Sequence, residues 1–202
     1  MIFERGHFSS RLLNESVIQE SLNESRTFSS KSVYTTKPTV FLSHKHPKDH
    51  EQEMRRDLRG VMGLLDELGA KVYIDSMDNA MPQQTAGETA LRIKEVIKYC
   101  KKFVLFATEK AIESYWCNWE LGIGDTYKYS NHIAILPMKE RGTYDYLYKG
   151  NEYIQIYPRI DYEDWTSRYN TGDLITAGYY VSDPTGKDGV RRLTKLRTWL
   201  NQ

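Results

Sequence analysis

With 202 residues and a formal net charge of +1, the chain can form one ordinary hydrophobic core, and it has no overall field that would attract nucleic acid or an anionic membrane. Its two cysteines, Cys100 and Cys117, are too few for a disulfide-stabilised secreted scaffold, and neither belongs to a CxxC metal motif. The first twenty residues contain no apolar run long enough for a signal peptide or a membrane span. We therefore expect a soluble, cytoplasmic protein that binds neither nucleic acid nor membranes.

Residues 1–38 are predicted to form an N-terminal arm, because this segment is rich in Ser, Asn and charged residues. Its apolar residues recur at roughly helical spacing only at Leu12, Leu13, Val17, Ile18 and Leu22. This spacing indicates at most one short amphipathic helix. The arm either packs against the main domain or a neighbouring subunit, or is a poorly ordered terminus, and the sequence does not decide between these alternatives.

From Thr39 the pattern changes to alternating strands and helices. The run TVFLS at 39–43 predicts a strand, and it is followed by a polar loop and a helical pattern that ends near Gly69. A second strand is predicted at 71–75, and apolar positions between 90 and 97 indicate a second helix. The run KKFVLFAT that follows is typical of a buried strand.

The alternation continues in the second half of the chain. A third helix is predicted to begin at Ser114, and HIAILPM at 132–138 predicts a fourth strand broken by its proline. A fifth strand is expected within 152–160, and a final helix from about 187 to 200. Strands alternating with helices predict an α/β fold with a five-stranded parallel sheet and helices on both faces.

Residues 39–202 are thus predicted to form one domain, with an ordered insertion near 161–188. This stretch is long for a connection, so we expect it near a functional edge, as a lid or a subunit contact. The region around it is rich in aromatic residues, which could stack a base or shield a site, although packing is the more ordinary role: Tyr144, Tyr146, Tyr148, Tyr153, Tyr157, Tyr162 and Trp165.

Several polar residues follow the predicted strands, where parallel sheets bind ligands. They are Ser43, His44, Lys45 and His46 after the first strand, Asp75 and Ser76 after the second, Thr108 after the third, and Ser114 at the next helix. Such a crevice could hold a nucleotide, with Lys45 facing its phosphates. Loops of every α/β protein are polar, however, so this pattern alone does not distinguish a site from ordinary surface.

The segment from Ser114 to Glu120 is more specific. On a helix, Trp116, Cys117 and Glu120 share one face, which places a partly desolvated carboxylate beside an aromatic wall. This arrangement suits glycosidic chemistry, because the carboxylate can accept hydrogen bonds from ribose hydroxyls. The alternative is a solvated Glu120 beside packing tryptophans. For Cys117, packing is favoured over a nucleophilic role, since no histidine partner is indicated.

Three segments, TVFLSHKHPKD, KVYIDSMD and KKFVLFATEKAIESYWCNWELG, resemble in their order the signature regions of the Toll/interleukin-1 receptor (TIR) family, in its bacterial enzymatic branch. The resemblance covers roughly residues 39–137. Its most specific part is the pattern S-x-W-C-x-x-E at 114–120. It implies a flavodoxin-like TIR fold.

The resemblance also implies residue roles. Glu120 corresponds to the catalytic glutamate for NAD⁺ consumption, and Ser43 to His46 to a loop that contacts the substrate. Asp75 corresponds to a residue of the same cleft, and the loop from Ser76 to Thr85 to one that gates the site. The predicted substrate-binding set is therefore Ser43, His44, Lys45, Asp75, Ser76, Trp116 and Cys117, with no metal and no cofactor, since NAD⁺ is the substrate.

The function implied is an NAD⁺ glycohydrolase and cyclase that releases nicotinamide and makes a cyclic ADP-ribose isomer. This would be an antiphage defence signal of the Thoeris type, made by a homo-oligomer and passed to a separate effector protein. The alternatives are an NADase that makes linear ADP-ribose and a non-catalytic TIR adaptor that acts by assembly. A receiver or nucleotide-binding module is a weaker alternative, because the chain lacks a glycine-rich phosphate loop.

Overall fold

A computed structural model describes residues 2–9, 16, 19–20, 23, 36–48, 50–77, 86–143, 152–165, 168, 172–184 and 190–202. The apolar positions of the predicted arm helix and most of the predicted gating loop, 78–85, lie outside these residues. Among the helices in the described part, none is both long and apolar enough to cross a membrane.

Eight strands form one sheet in the described part of the chain. They are β1 (Phe3–Glu4), β2 (Thr39–Ser43), β3 (Lys71–Tyr73), β4 (Lys102–Ala107), β5 (Ile133–Lys139), β6 (Arg159–Glu163), β7 (Gly178–Ser182) and β8 (Leu193–Lys195). The order is β3-β2-β4-β5-β6-β7-β8, and β1 pairs with β5. From β3 to β6 all pairs are parallel, in the flavodoxin-like order.

The prediction of a sheet with only five parallel strands is wrong in strand number and direction. Strands β7 and β8 extend the sheet in antiparallel pairing, and β1 adds a further parallel pair. The residues at 193–195 were expected in the last helix, but they pair with β7 and the helix begins only at Leu196. Pairing with a neighbouring strand overrides the local helical pattern here.

Two other local predictions also differ from the structure. Residues Glu152–Ile156, expected at the start of the fifth strand, form a 3₁₀ helix, and the strand begins at Arg159. Strand β5 continues through Pro137, which lies opposite Ala107 of β4, although the sequence predicts a break there. Pairing resumes at Met138, where β1 joins β5, so one missing N–H group does not end the strand.

The α-helices whose bounds lie in the described part are α1 (Gln52–Glu67), α2 (Ala86–Tyr99), α3 (Glu109–Ile112), α4 (Tyr115–Tyr127) and α5 (Leu196–Asn201). Alternate residues of β2 point to opposite faces, because side chains alternate along a strand. Val40 and Leu42 join a core cluster with α1 and α5, and Phe41 joins a second cluster with α2 and α4. The sheet therefore has helices on both faces, as the alternation predicts.

The first residues of the chain belong to this core. Phe3 pairs with Met138 of β5, and Phe8 packs against Phe3 with ring centroids 5.0 Å apart. Phe8 also covers Gly60 of α1, where a side-chain Cβ would lie only 2.6 Å from the Phe8 carbonyl oxygen. A glycine at this position is what allows the two segments to approach so closely.

A buried carboxylate fixes the same segment. Asp57 of α1 is fully buried, and it accepts hydrogen bonds from three backbone N–H groups, those of Gly6, Phe8 and Ser9, at 2.7, 3.0 and 2.8 Å. Burial raises the pKa of Asp57, and these hydrogen bonds oppose the rise. Residues 2–9 are therefore an integral part of the α/β domain.

The predicted insertion at 161–188 contains two strands of the sheet. Strand β6 ends at Glu163 and pairs in antiparallel register with β7, for example Tyr162 with Tyr179. Residues 166–167, 169–171 and 185–189 lie outside the described part.

Candidate active site

The candidate site lies at the carboxyl edge of the sheet, where the strand order changes direction. From β2 the chain first proceeds to β3 on one side and then to β4 on the other. Ser43 is the last residue of β2, Asp75 follows β3, and Glu120 lies on α4, which follows β4. Such a switch point is the usual ligand site of an open parallel sheet.

The start of α4 places the candidate catalytic residue. Ser114 is the N-cap residue, and its side-chain oxygen accepts a hydrogen bond from the Cys117 N–H at 3.5 Å. Glu120 then lies one turn after Trp116, on the face of α4 that also carries Cys117. Cys117 and Glu120 are buried, whereas Trp116 is 37% exposed. The predicted cluster of the three side chains is thus formed, with the indole at its solvent side.

Glu120 is almost completely buried, with 1% of its surface exposed. The Ser43 hydroxyl donates a hydrogen bond of 2.5 Å to Oε2 of Glu120. The other carboxyl oxygen, Oε1, is buried and has no hydrogen-bond partner among the described residues. The carboxyl group therefore has one oxygen held by Ser43 and a second, buried oxygen without a well-formed hydrogen bond.

The surroundings of Glu120 favour its neutral form. Burial is the main cause and the negative charge of Asp75 the second, and together they raise the pKa of Glu120 to about 8. The hydrogen bond from Ser43 opposes this rise, and the indole of Trp116 opposes it more weakly. A carboxyl group with so perturbed a pKa in a cleft marks a candidate functional site.

Two histidines surround Asp75. The His46 Nε2 atom lies 3.2 Å from Oδ2 of Asp75, and the His44 Nδ1 atom lies 3.8 Å from Oδ1. Burial alone would raise the pKa of Asp75, but the hydrogen bond from His46 and the charges of both histidines outweigh it and lower the pKa. Burial lowers the pKa of His44 to about 4, so this ring is neutral at physiological pH.

The other predicted site residues differ in their burial and in their contacts. Ser76 follows Asp75 and its hydroxyl lies 3.5 Å from the Nε2 atom of His44. Lys45 is exposed on the loop between the two histidines. Burial raises the pKa of Cys117 to about 11, which keeps the thiol neutral. This agrees with packing rather than a nucleophilic role.

The predicted substrate-binding set leaves out His46, although the loop from Ser43 to His46 is expected to contact the substrate. In an extended chain, side chains two residues apart point to the same side. The imidazole rings of His44 and His46 accordingly stack, with their centroids 5.0 Å apart. Tyr153 is expected only as one of several aromatic residues, and the structure adds a specific contact, because its hydroxyl donates a hydrogen bond of 2.6 Å to Asn118 on α4. No local pattern could have paired residues so far apart in the chain.

The aromatic residues of the second half have different surroundings in the described part of the chain. Tyr157 is buried in the core, and Tyr162 lies 5.1 Å from Tyr179. Trp165 is 66% exposed. Tyr144, Tyr146 and Tyr148 lie outside the described residues.

Comparison with known proteins gives one relative of clear similarity. The chain is 28% identical over 159 residues to a Bacillus cereus (strain MSX-D12) protein named "Probable 3′ cyclic ADP-D-ribose synthase ThsB′". The aligned region covers 76% of this chain and 72% of the relative. No model of a known protein family matches the chain. The similarity therefore extends over most of both chains.

Proposed function

We propose that this protein is a TIR-type enzyme that cleaves the bond between nicotinamide and ribose in NAD⁺ and forms a cyclic ADP-ribose isomer. The observation that carries the proposal is the buried carboxyl group of Glu120, with one oxygen bound by Ser43 and the other without a partner, at the ligand-binding edge of the sheet. The name of the Bacillus cereus relative supports the same chemistry.

The chemistry needs a negative charge near the ribose. The electron pair of the broken bond neutralises the pyridinium ring, so nicotinamide leaves as a neutral molecule and needs little acid catalysis. Positive charge then develops on the ribose as an oxocarbenium-like state. An ionised Glu120, fixed in a water-poor site, would stabilise this charge electrostatically, and its Oε1 atom could accept a hydrogen bond from a ribose hydroxyl.

The raised pKa of Glu120 fits a carboxylate that becomes charged when substrate binds. With a pKa of about 8, the group is mostly protonated at neutral pH in the free protein. The pyridinium ring of NAD⁺ brings a positive charge, which favours the ionised form of a nearby carboxyl group. Ionisation would then be coupled to the arrival of the correct, cationic end of the substrate.

Other residues at this edge have roles in holding the dinucleotide. Trp116 is partly exposed beside Glu120 and offers an aromatic face for a ring of the substrate. Lys45 is exposed on the loop after β2, where its charge can meet a phosphate. His44, Asp75 and Ser76 would line the same cleft, whereas buried Cys117 would support the floor beneath Glu120.

The product depends on which nucleophile reaches the ribosyl cation. In a cyclase, a hydroxyl or ring nitrogen of the same molecule forms the new bond to the anomeric carbon, and a hydroxyl loses its proton as it does so. A group held close has a high effective concentration and competes with water. The relative's name favours such a cyclic product, and linear ADP-ribose is the alternative.

We also propose that the product serves as a defence signal, passed to a separate effector by a homo-oligomeric enzyme. The support for these points is the resemblance to TIR proteins of Thoeris type. A non-catalytic adaptor is the contrasting candidate, but an adaptor has no need for a buried, partly unpaired carboxyl group at this edge of the sheet.

The test is incubation of the protein with NAD⁺, followed by chromatography and mass spectrometry of the products. We expect nicotinamide and a cyclic ADP-ribose isomer from the wild-type protein. Glu120→Gln keeps the shape of the side chain but removes its charge, so turnover should fall by about two orders of magnitude or more. The matched control, Glu113→Gln, changes an exposed glutamate shortly before α4 and should keep wild-type turnover.

Two outcomes would contradict the proposal in different ways. A folded Glu120→Gln protein with near-wild-type turnover would remove Glu120 from the mechanism. Linear ADP-ribose as the sole product, under conditions in which added cyclic product persists, would refute the cyclase but leave the cleavage of NAD⁺ intact.

A further inference from the structure

His44, His46 and Asp75 form a cluster of three metal-ligating groups. One ligand atom from each residue can be chosen so that all three atoms lie within 4.8 Å of one another. Two of the separations are 3.3 Å, between His46 Nε2 and Oδ1 of Asp75, and 3.8 Å, between His44 Nδ1 and the same oxygen. The sequence predicts no metal, because the ligands come from two loops 29 residues apart and form no local motif.

These separations suit a tetrahedral zinc ion. With zinc bonds of 2.0 to 2.2 Å to nitrogen and oxygen, neighbouring ligands of a tetrahedron lie about 3.4 Å apart. The two measured separations lie on either side of this value. The His46 side chain is 56% exposed, so it can turn to complete the geometry, and its solvent side leaves room for water as the fourth ligand.

An independent observation points to a ligand at the same place. The Nδ1 atom of His44 is buried, directed toward Asp75, and has no hydrogen-bond partner in the described part of the chain. The side chain of His44 is only 1% exposed. A buried polar atom without a partner is costly, and a metal ion would satisfy it.

The surrounding contacts are also those of a metal site. The Ser76 hydroxyl lies 3.5 Å from the Nε2 atom of His44, the ring nitrogen that faces away from the cluster. The backbone N–H of Ser76 donates a hydrogen bond of 2.8 Å to Oδ1 of Asp75. Such partners orient histidine and carboxylate ligands in metalloproteins.

We propose that His44 Nδ1, His46 Nε2 and a carboxylate oxygen of Asp75 bind one Zn²⁺ ion, with a fourth position open to water or a ligand oxygen. The ion would tie the loop after β2 to the end of β3. The proposal does not rest on NAD⁺ cleavage, because metal binding is measured on the protein alone.

The test is titration of the metal-free protein with Zn²⁺ by calorimetry, and with Co²⁺ by absorption spectroscopy. We expect one ion per chain and a cobalt spectrum without a thiolate band, since no cysteine belongs to the cluster. His46→Ala and Asp75→Asn should each weaken Zn²⁺ binding by at least about 10-fold, the lower limit seen when only a supporting residue is lost.

His50→Ala is the matched control, because His50 is exposed in the same loop but lies outside the cluster. It should bind Zn²⁺ as the wild-type protein does, and circular dichroism checks that each variant is folded. The proposal is overturned if the wild-type chain binds no Zn²⁺ below millimolar concentration, if His46→Ala binds it unchanged, or if cobalt shows a thiolate band.

Discussion

At the scale of single residues, two neighbours of Glu120 affect its pKa in opposite directions. Ser43 donates a hydrogen bond to its carboxyl group and so favours the charged form, whereas the negative charge of Asp75 favours the neutral form. Burial adds to the effect of Asp75, and the pKa settles at about 8. The ionisation of the candidate catalytic group is therefore set by residues on three different elements of the fold.

This balance predicts opposite effects of two substitutions on the pH dependence of activity. If the charged form of Glu120 is needed, kcat/KM rises with pH up to the pKa of the free protein. Ser43→Ala removes a group that lowers this pKa, so the rising limb should move to higher pH. Asp75→Asn removes a charge that raises it, so the limb should move to lower pH.

The measurement is kcat/KM for NAD⁺ from about pH 5 to pH 9, with a chelator present so that metal binding does not contribute. Glu113→Gln serves again as the unchanged reference. Shifts in the same direction for Ser43→Ala and Asp75→Asn would show that the limb does not report the ionisation of Glu120.

Some of this site could be predicted from the sequence. Glu120 and its helical neighbours follow from the spacing of the S-x-W-C-x-x-E pattern, and Ser43 and Asp75 follow from their places at strand ends. The hydrogen bond between Ser43 and Glu120 could not be predicted, because these residues are 77 positions apart. The depth of burial that raises the pKa of Glu120 also depends on tertiary packing.

At the scale of elements, the N-terminal segment shows where sequence patterns fail. Strand β1 has only two residues, too few for any periodicity to be visible. The place of the whole segment depends on partners distant in the chain. Asp57 accepts hydrogen bonds from backbone N–H groups that follow β1, and Gly60 makes room for Phe8. By contrast, the long apolar runs of β2, β4 and β5 are evident from composition alone.

Two glycines in helices give a matched test of this packing. A Cβ at Gly60 would lie 2.6 Å from the Phe8 carbonyl oxygen, whereas nothing lies within 4 Å of a Cβ at Gly122 of α4. Both alanines gain up to about 1 kcal/mol of helix propensity. Gly122→Ala should therefore stabilise the protein, and Gly60→Ala should destabilise it by about 1–3 kcal/mol through overpacking.

Urea denaturation monitored by circular dichroism measures both changes in the free energy of unfolding. Equal stabilisation by the two alanines would mean that Phe8 does not lie against α1. Loss of stability in Gly122→Ala alone would contradict the packing described for both helices.

At the scale of the whole molecule, alternation of strands and helices predicts the five parallel strands and their flanking helices. The antiparallel extension by β7 and β8 was not predictable from local patterns. Leu193 to Lys195 read as the beginning of the last helix, and only pairing with β7 makes them a strand. Short edge strands depend on their neighbours more than on their own residues.

The buried carboxyl group should also make the stability of the whole molecule depend on pH. The pKa of Glu120 is about 8 in the folded protein, against an ordinary value of 4.5. Between these values the folded state binds more protons than the unfolded state, so this group makes the free energy of unfolding fall as pH rises. The glutamine of the Glu120→Gln variant does not titrate, so this contribution to the fall in the free energy of unfolding is absent from the variant.

We therefore expect Glu120→Gln to have a Tm close to that of the wild-type protein near pH 5 and a higher Tm near pH 9. Since 1 kcal/mol shifts Tm by about 2–4 °C in a chain of this size, the difference should be several degrees. Differential scanning calorimetry at a series of pH values measures it. A Tm difference that stays constant from pH 5 to pH 9 would mean that Glu120 is not buried with a raised pKa.

The pairing of β1 with β5 has a consequence for how the chain is made. Phe3 pairs with Met138, so Phe3 is synthesised well before the strand with which it pairs. At about 5–20 residues per second, this interval is on the order of 10 s. During this interval, β5 is not yet present to cover Phe3 and Phe8. The paired strands β2 and β3 are synthesised before β5. Strand β1 is therefore made early but can pair only after β5 has been synthesised.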